Sequence, residues 1–216
     1  ADYTKNQKWG KFGIDLALGS VIDKKATKDD YKFLPDYIFY AFENATIKNN
    51  GEIKPLVKKT TTVLNAQKLN PIKPLAFLTT PFTIILIISL LIAFITFKNF
   101  KNKKGAKWLD FILFFLTGII GLVVLLLWFA TDHTATYKNL NFLWAFAPNL
   151  IVAFYLLKCK LPQWTFYYFI LLIILIFIMI VIWVLKIQVF NNALLPLLIV
   201  LVTRYYLLIK FAIDKA

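Results

Sequence analysis

The sequence WLDFILFFLTGIIGLVVLLLWFA, residues 108–130, is followed by the polar stretch TDHTATYKNLN, residues 131–141, and then by an apolar run over residues 142–157. The first run is long enough to cross a bilayer, since about 20 helical residues span the hydrocarbon core. The polar stretch holds the only histidine of the chain, His133, beside Asp132. A polar loop between two apolar runs predicts either a functional site at a membrane surface or a simple turn.

Five apolar runs predict an α-helical integral membrane protein with five transmembrane helices. Apolar residues make up 60% of the 216 residues, whereas soluble domains contain about 45–50%. The third run has only 16 residues and contains Pro148, so it either spans or re-enters on the same side. The charge pattern favours spanning. The expected spans cover about residues 75–97, 108–130, 142–157, 165–185 and 192–209.

Lysines predict the orientation of these helices. The first connection, residues 98–107, holds five lysines, whereas the second and the fourth connections hold one each. Because basic residues collect on the cytoplasmic side, we expect the first and third connections and the C-terminus to be cytoplasmic. Residues 1–74 and the loop with His133 are then expected outside. Most lysines of the C-terminal part lie between apolar runs, where they meet anionic head groups, so the net charge of +14 does not lead us to expect nucleic-acid binding.

Residues 1–74 predict a small α+β segment outside the membrane. Polar and apolar residues alternate at helical spacing over residues 9–18, with Gly19 as a stop signal. Further helices are expected at residues 28–33 and 36–44, strands between residues 52 and 64, and a stiff linker at residues 70–74. The segment is too short to bury a good core by itself. We therefore expect it to be the end of a larger domain or to pack on a partner.

Two ionisable residues fall inside predicted spans. Asp110 lies close in sequence to the lysines of the first connection, and we expect it to pair with them near the cytoplasmic face. Arg204 is near enough to the cytoplasmic end for its side chain to reach the membrane surface. Gly118 and Gly121 predict a close approach between spans.

Cysteine and histidine are too few for several kinds of site. The single cysteine, Cys159, excludes an internal disulfide. Without a cluster of Cys and His residues, neither a zinc site nor another metal site or cofactor is expected.

Six short stretches resemble the Lnb-like lipoprotein N-acyltransferases, which are envelope proteins of Gram-negative bacteria. The stretches from the first part of the chain resemble the end of a periplasmic domain, and the others resemble the membrane domain that follows it. They are WGKFGIDLALG (9–19), DKKAT (23–27), FLPDY (33–37), WLDF (108–111), LWFATDH (127–133) and NLNFLW (139–144).

The resemblance implies an inner-membrane enzyme that acylates the α-amine of a lipoprotein's N-terminal cysteine. It implies a papain-like periplasmic domain whose Cys nucleophile and His base lie upstream of residues 1–74. Cys159 and His133 are expected on opposite sides of the membrane, too far apart to form that pair. The expected partners are therefore membrane lipids, the lipoprotein substrate and the upstream catalytic domain. The alternative is a non-enzymatic membrane anchor or a subunit of an envelope complex.

The loop supplies the candidate site residues. Asp132 and His133 are the catalytic candidates, because a histidine at the outer surface can relay a proton or bind a phosphate head group. In the alternative reading, the loop only caps helix ends. The candidates for contact with lipid or substrate are Lys138, Asn139, Asn141 and Trp144. For the two asparagines the alternative is that they hold the loop by hydrogen bonds, and for the lysine that it extends to the head groups.

Overall fold

The computed structural model describes residues 7–27, 30–31, 34–49, 51–63, 77–158 and 161–213. Contacts divide these residues into two compact units. One unit contains the residues up to Asp23 and those from Phe77 onward, and the other contains the residues from Lys24 to Val63. The predicted linker at residues 70–74 lies outside the described residues, as do Cys159 and most of the helix expected at residues 28–33. The division of the chain at residue 74 stays a prediction.

The described elements are mostly helical. The α-helices are α1 (Lys8–Ala17), α2 (Pro35–Glu43), α3 (Pro81–Asn102), α4 (Lys107–Phe129), α5 (Asn149–Leu156), α6 (Trp164–Val184) and α7 (Leu194–Ile213). Short 3-10 turns lie at Ser20–Asp23, Phe77–Thr79, Thr134–Thr136 and Leu140–Leu143. The strands are β1 (Thr46–Asn49) and β2 (Glu52–Pro55).

The smaller unit contains α2 and an antiparallel hairpin. Helix α2 begins at Pro35, where the fixed φ of proline suits the first turn. Strands β1 and β2 pair with Ile47 opposite Lys54, and Gly51 takes a φ of 88° in the turn. The expected strand extends only to Pro55, and β1 was not predicted. Helix α2 has no buried residue, and the side chains of β2 are exposed. A segment of this size buries little core.

Asp30, at the start of the smaller unit, is bonded to Thr27. Both the backbone N–H and the hydroxyl of Thr27 donate to the Asp30 carboxylate at 2.7 Å. These hydrogen bonds, of which the backbone one has the larger effect, lower the pKa of the Asp30 carboxyl below its ordinary value.

Helix α1 belongs to the larger unit. Phe12 and Leu16 pack against the hydrophobic core, as the helical spacing of residues 9–18 predicts. The helix ends at Ala17, and Gly19 follows directly after the C-cap residue, Leu18. Sequence patterns alone did not associate this helix with the membrane-spanning part of the chain.

Four of the five predicted spans form long helices. By length and composition, α3, α4, α6 and α7 could each cross a membrane. The core between them is formed by buried aromatic and aliphatic side chains such as Phe114, Phe169 and Tyr205, whose rings meet edge to face.

The third apolar run is not a continuous helix. Only its second half forms an α-helix, α5, and these 8 residues cover only about 12 Å at 1.5 Å per residue. A helix across residues 142–157 is therefore not confirmed. Pro148, directly before α5, has no backbone N–H to continue a helix from the preceding turn.

The chain from Thr136 to Leu157 nevertheless runs alongside α4 from end to end. Near one end, the Thr136 hydroxyl donates to the carbonyl of Leu127 at 2.7 Å. Farther along, Phe154 packs against Phe111 on α4. At the other end, the ammonium of Lys107 lies 3.5 Å from the carbonyl of Leu157. The chain therefore returns past the full length of α4, in the opposite direction.

Two glycines of α4 allow the segment to approach. A Cβ atom on Gly121 would overlap the carbonyl oxygen of Ala145, and one on Gly118 would overlap the backbone of Leu150. The close approach predicted for these glycines is thus confirmed.

Asn149 is fully buried where α5 begins, donates to Thr117 at 3.0 Å and accepts from the Tyr168 hydroxyl at 2.5 Å.

A buried ion pair joins α4 to α7. Arg204 donates through Nε to Asp110 Oδ1 at 2.5 Å and through Nη2 to Oδ2 at 2.9 Å, and its Nη1 lies 3.4 Å from the Thr96 hydroxyl on α3. Both charged side chains are buried. The expected pairing of Asp110 with nearby lysines is wrong, and so is the extension of Arg204 to the membrane surface. The planar guanidinium matches both carboxylate oxygens, which a lysine cannot do.

We predict that removing either partner of this pair destabilises the bundle. Arg204→Met or Asp110→Leu alone leaves a buried charge without its partner, which costs about 3–5 kcal/mol. The double variant leaves no such charge and is expected to be more stable than either single variant. Thermal unfolding in detergent measures the difference. If both single variants unfold at the wild-type temperature, the ion pair does not form.

We also predict that Gly121→Ala disturbs the packing of the irregular segment. The added methyl meets the carbonyl of Ala145, and overpacking of this kind costs about 1–3 kcal/mol. Gly105→Ala is the matched control, because a Cβ atom there meets nothing within 4 Å. Thermal unfolding of the two variants should differ, and equal unfolding temperatures would contradict the close approach.

Candidate functional site

The candidate site lies where the loop of residues 131–141 meets the end of α1. The side-chain amide of Asn139 donates to the carbonyl of Leu16 at 2.8 Å. That of Asn141 donates to the carbonyl of Asp15 at 3.0 Å. The last carbonyls of a helix have no partner within the helix, so these two asparagines satisfy groups that α1 leaves open.

Gln188, between α6 and α7, completes the connection. Its Oε1 accepts from the backbone N–H of Leu140 at 2.8 Å. Its Nε2 lies 3.5 Å from the carbonyl of Leu18 and 3.4 Å from Asn139 Oδ1. Gln188 and Asn139 are both buried. The same end of the bundle therefore carries α1, the loop and the connection between α6 and α7.

Gly19 brings the backbone after α1 directly against the loop. Its N–H donates to the carbonyl of Ala135 at 2.9 Å. A Cβ atom at this position would overlap the carbonyl of Tyr137, so only glycine fits. Next to it, the N–H and hydroxyl of Ser20 donate to the carbonyl of Lys138 at 3.1 and 3.2 Å. Lys138 has a left-handed φ of 54°, a conformation that persists only where the surroundings fix it.

Three of the predicted contact residues are inside the protein. Asn139 and Asn141 are 0% exposed, and Trp144 is 2% exposed. The indole N–H of Trp144 donates to Asn141 Oδ1 at 3.0 Å. The polar atoms of all three therefore bind other parts of the chain, as in the alternative in which the asparagines hold the loop. Contact of these residues with a lipid or substrate stays a prediction.

The other candidates face outward. Asp132, His133 and Lys138 are exposed. The ammonium of Lys138 lies 5.5 Å from the ring centroid of Tyr137. Neither Asp132 nor His133 makes a side-chain hydrogen bond or ion pair with another described residue, which leaves both available to a ligand. They line a depression of about 260 Å³ together with Val21, Trp128, Thr131, Thr134 and Tyr137.

A larger cleft opens at the same end of the bundle and was not predicted. It has a volume of about 710 Å³ and lies between α1, the start of α3 and residues 189–193. The sequence does contain a signal for it, namely Lys8, Lys11 and Asp15 at helical spacing. These three residues do not indicate a cleft by themselves, because its other walls come from residues 77–82 and 189–193, far away in the sequence.

Metal ligands do not cluster in the part of the chain that the structure describes. No group of three or more His, Cys, Asp or Glu side chains is placed there to hold a metal ion. A histidine and a carboxylate at a surface can move a proton or bind an ionic head group.

Comparison with known proteins identifies the family. Neither a curated protein nor a solved structure matches the chain. The family model of the Lnb transmembrane domain matches residues 73–216, which is more than half of the chain and includes the four long helices and the loop with His133. The chain therefore belongs to the Lnb transmembrane domain family.

Proposed function

We propose that the chain is the membrane part of an Lnb-type lipoprotein N-acyltransferase. In this reaction an acyl chain moves to the α-amine of a lipoprotein's N-terminal cysteine. The family match over residues 73–216 supports the proposal. The resemblance of residues 9–19, 23–27 and 33–37 to the end of a papain-like periplasmic domain supports it further.

The observation that carries the proposal is the attachment of α1 to the loop. Asn139, Asn141 and Gln188 bind the backbone at the end of α1 through buried amides. A catalytic domain whose last part includes α1 would thereby be fixed against the membrane helices. The membrane part would then hold that domain at the lipid surface, where lipid-anchored substrates arrive.

The depression that contains His133 would lie where this domain meets its substrate. In the proposed reaction, a thiolate of the papain-like domain attacks the acyl ester, forms a thioester and releases the alcohol of the ester. The α-amine of the lipoprotein then attacks the thioester, loses a proton to form the amide, and releases the thiolate. His133 is exposed, and an imidazole can donate or accept a hydrogen bond. We assign it and Asp132 the role of binding a head group or relaying a proton beside that centre.

The orientation belongs to the same proposal. The end with His133 would face the periplasm, and the lysine-rich end with Lys107 would face the cytoplasm. Residues 142–157 would form the third of the five predicted crossings of the inner membrane. Irregular backbone is tolerated at membrane depth where protein covers it, and α4 supplies that cover through Gly118 and Gly121.

We predict that His133→Ala reduces lipoprotein N-acylation about tenfold. A loss of this size corresponds to about 1.4 kcal/mol of transition-state stabilisation, as expected for one hydrogen bond to a charged group. The measurement is mass spectrometry of the N-terminal peptide of a lipoprotein from cells that depend on the variant.

Thr134→Ala is the matched control, since Thr134 lines the same depression and is also exposed. It should leave acylation unchanged. Full activity of His133→Ala would make the loop structural. Absence of acylation with the wild-type protein would favour the alternative of an anchor or a subunit of an envelope complex.

A second prediction tests the attachment of α1. Gly19→Val places a branched side chain against the carbonyl of Tyr137 and should detach the end of α1 from the loop. We expect faster hydrogen–deuterium exchange in residues 12–20 and a loss of acylation, with the long helices still protected. Gly13→Val is the control, because a Cβ atom at Gly13 meets nothing within 4 Å. Unchanged exchange and activity in Gly19→Val would show that the attachment is not required.

A further inference from the structure

The cleft beside α1 has the size of a ligand site. Its volume is about 710 Å³, within the range of about 300–1,000 Å³ that small-molecule pockets occupy. Its wall is formed by α1 with the Ser20–Asp23 turn, by residues 77–82 and by residues 189–193. It is separate from the depression that contains His133.

One charged pair in the cleft is already satisfied. The ammonium of Lys11 lies 2.6 Å from the Asp15 carboxylate. The side-chain amide of Asn191 donates to the same carboxylate at 2.7 Å. These contacts fix the position of Asp15 and leave little net charge there.

Two further charged side chains line the cleft, and neither forms an ion pair with another described residue. Lys8, on α1, is exposed and contributes an ammonium group. Asp23 accepts the backbone N–H of Val189 through Oδ2 at 2.8 Å, which orients its carboxylate but does not neutralise it. A ligand matching both groups carries one anionic and one cationic group.

Apolar side chains complete the lining. Phe77 is 71% exposed and Ile22 is 48% exposed, although both belong to the larger unit and line the cleft. Phe82 lies in the first turn of the long helix α3, where the chain enters the membrane in our proposal. Exposed aromatic and aliphatic side chains at the membrane surface favour contact with an acyl chain over contact with water.

We propose that this cleft binds one phospholipid whose head group carries both a phosphate and a primary ammonium. The phosphate lies at Lys8, the ammonium lies at Asp23, and the acyl region covers Phe77 and Ile22. A primary ammonium donates hydrogen bonds to a carboxylate, whereas a quaternary one has no N–H to donate. The site therefore distinguishes phosphatidylethanolamine from phosphatidylcholine.

The test measures binding of acyl-labelled fluorescent lipids to the full chain in detergent. Phosphatidylethanolamine should bind at least fivefold more tightly than phosphatidylcholine or phosphatidylglycerol. In Lys8→Gln/Asp23→Asn the affinity for phosphatidylethanolamine should fall about tenfold, and the preference should disappear. The control, Lys186→Gln/Asp36→Asn, changes the same charges at exposed positions outside the cleft and should bind as the wild type does. Equal affinity for the three lipids, or wild-type binding by the cleft variant, would overturn the proposal.

Two further measurements keep the result interpretable. Phe77→Ser changes an exposed side chain and should weaken the binding of all three lipids alike. Unchanged binding would show that the acyl region does not contact Phe77. Soluble phosphoethanolamine should displace the lipid only at a far higher concentration. Displacement at equal concentration would mean that the head group alone is bound. Lipid binding is read without acyl transfer, so this proposal and the proposed enzymatic function can fail independently.

Discussion

Hydrogen bonds from buried side-chain amides to the end of α1 determine how the larger unit is arranged. A helix leaves its final carbonyls without partners, and burying them unbonded costs free energy. Asn139 and Asn141 donate to two of them, the carbonyls of Leu16 and Asp15. Gln188 reaches the carbonyl of Leu18, directly after the helix. Because the same amides also bond the loop itself, α1 and the loop cannot separate without leaving several buried polar groups unpaired.

The shape of the chain after this loop follows from the same requirement. Residues 140–148 do not form a regular helix, so their backbone groups need cover and partners away from lipid. The side chains missing at Gly118 and Gly121 give them room against α4. Asn149 then bonds both neighbouring helices, through Thr117 and Tyr168. These contacts hold the irregular residues 140–148 in a fixed position against the neighbouring helices.

Hydropathy and charge patterns predicted much of the fold, because they depend on neighbours in the sequence. The four long spans and the start of α2 at Pro35 are of this kind. The structure also places the second connection, which contains Leu140, and the fourth, which contains Gln188, at one end of the bundle. The backbone N–H of Leu140 donates to Gln188. The pairing of Asp110 with Arg204 was missed because it joins residues 94 positions apart, and the lysines nearest in sequence looked sufficient. The attachment of α1 was missed because an asparagine in a loop does not indicate which distant carbonyl it will bind.

The ion pair between Asp110 and Arg204 also constrains how the protein enters its membrane. Asp110 is synthesised 94 residues before Arg204, so it must be accommodated at the membrane without its final partner. Its position in the first turn of α4 keeps it near the aqueous boundary during this interval. The lysines of the first connection are the closest cations along the chain. Because an unpaired charge within a membrane is costly, pairing with Asp110 favours docking of α7 on α4 while Arg204 becomes buried.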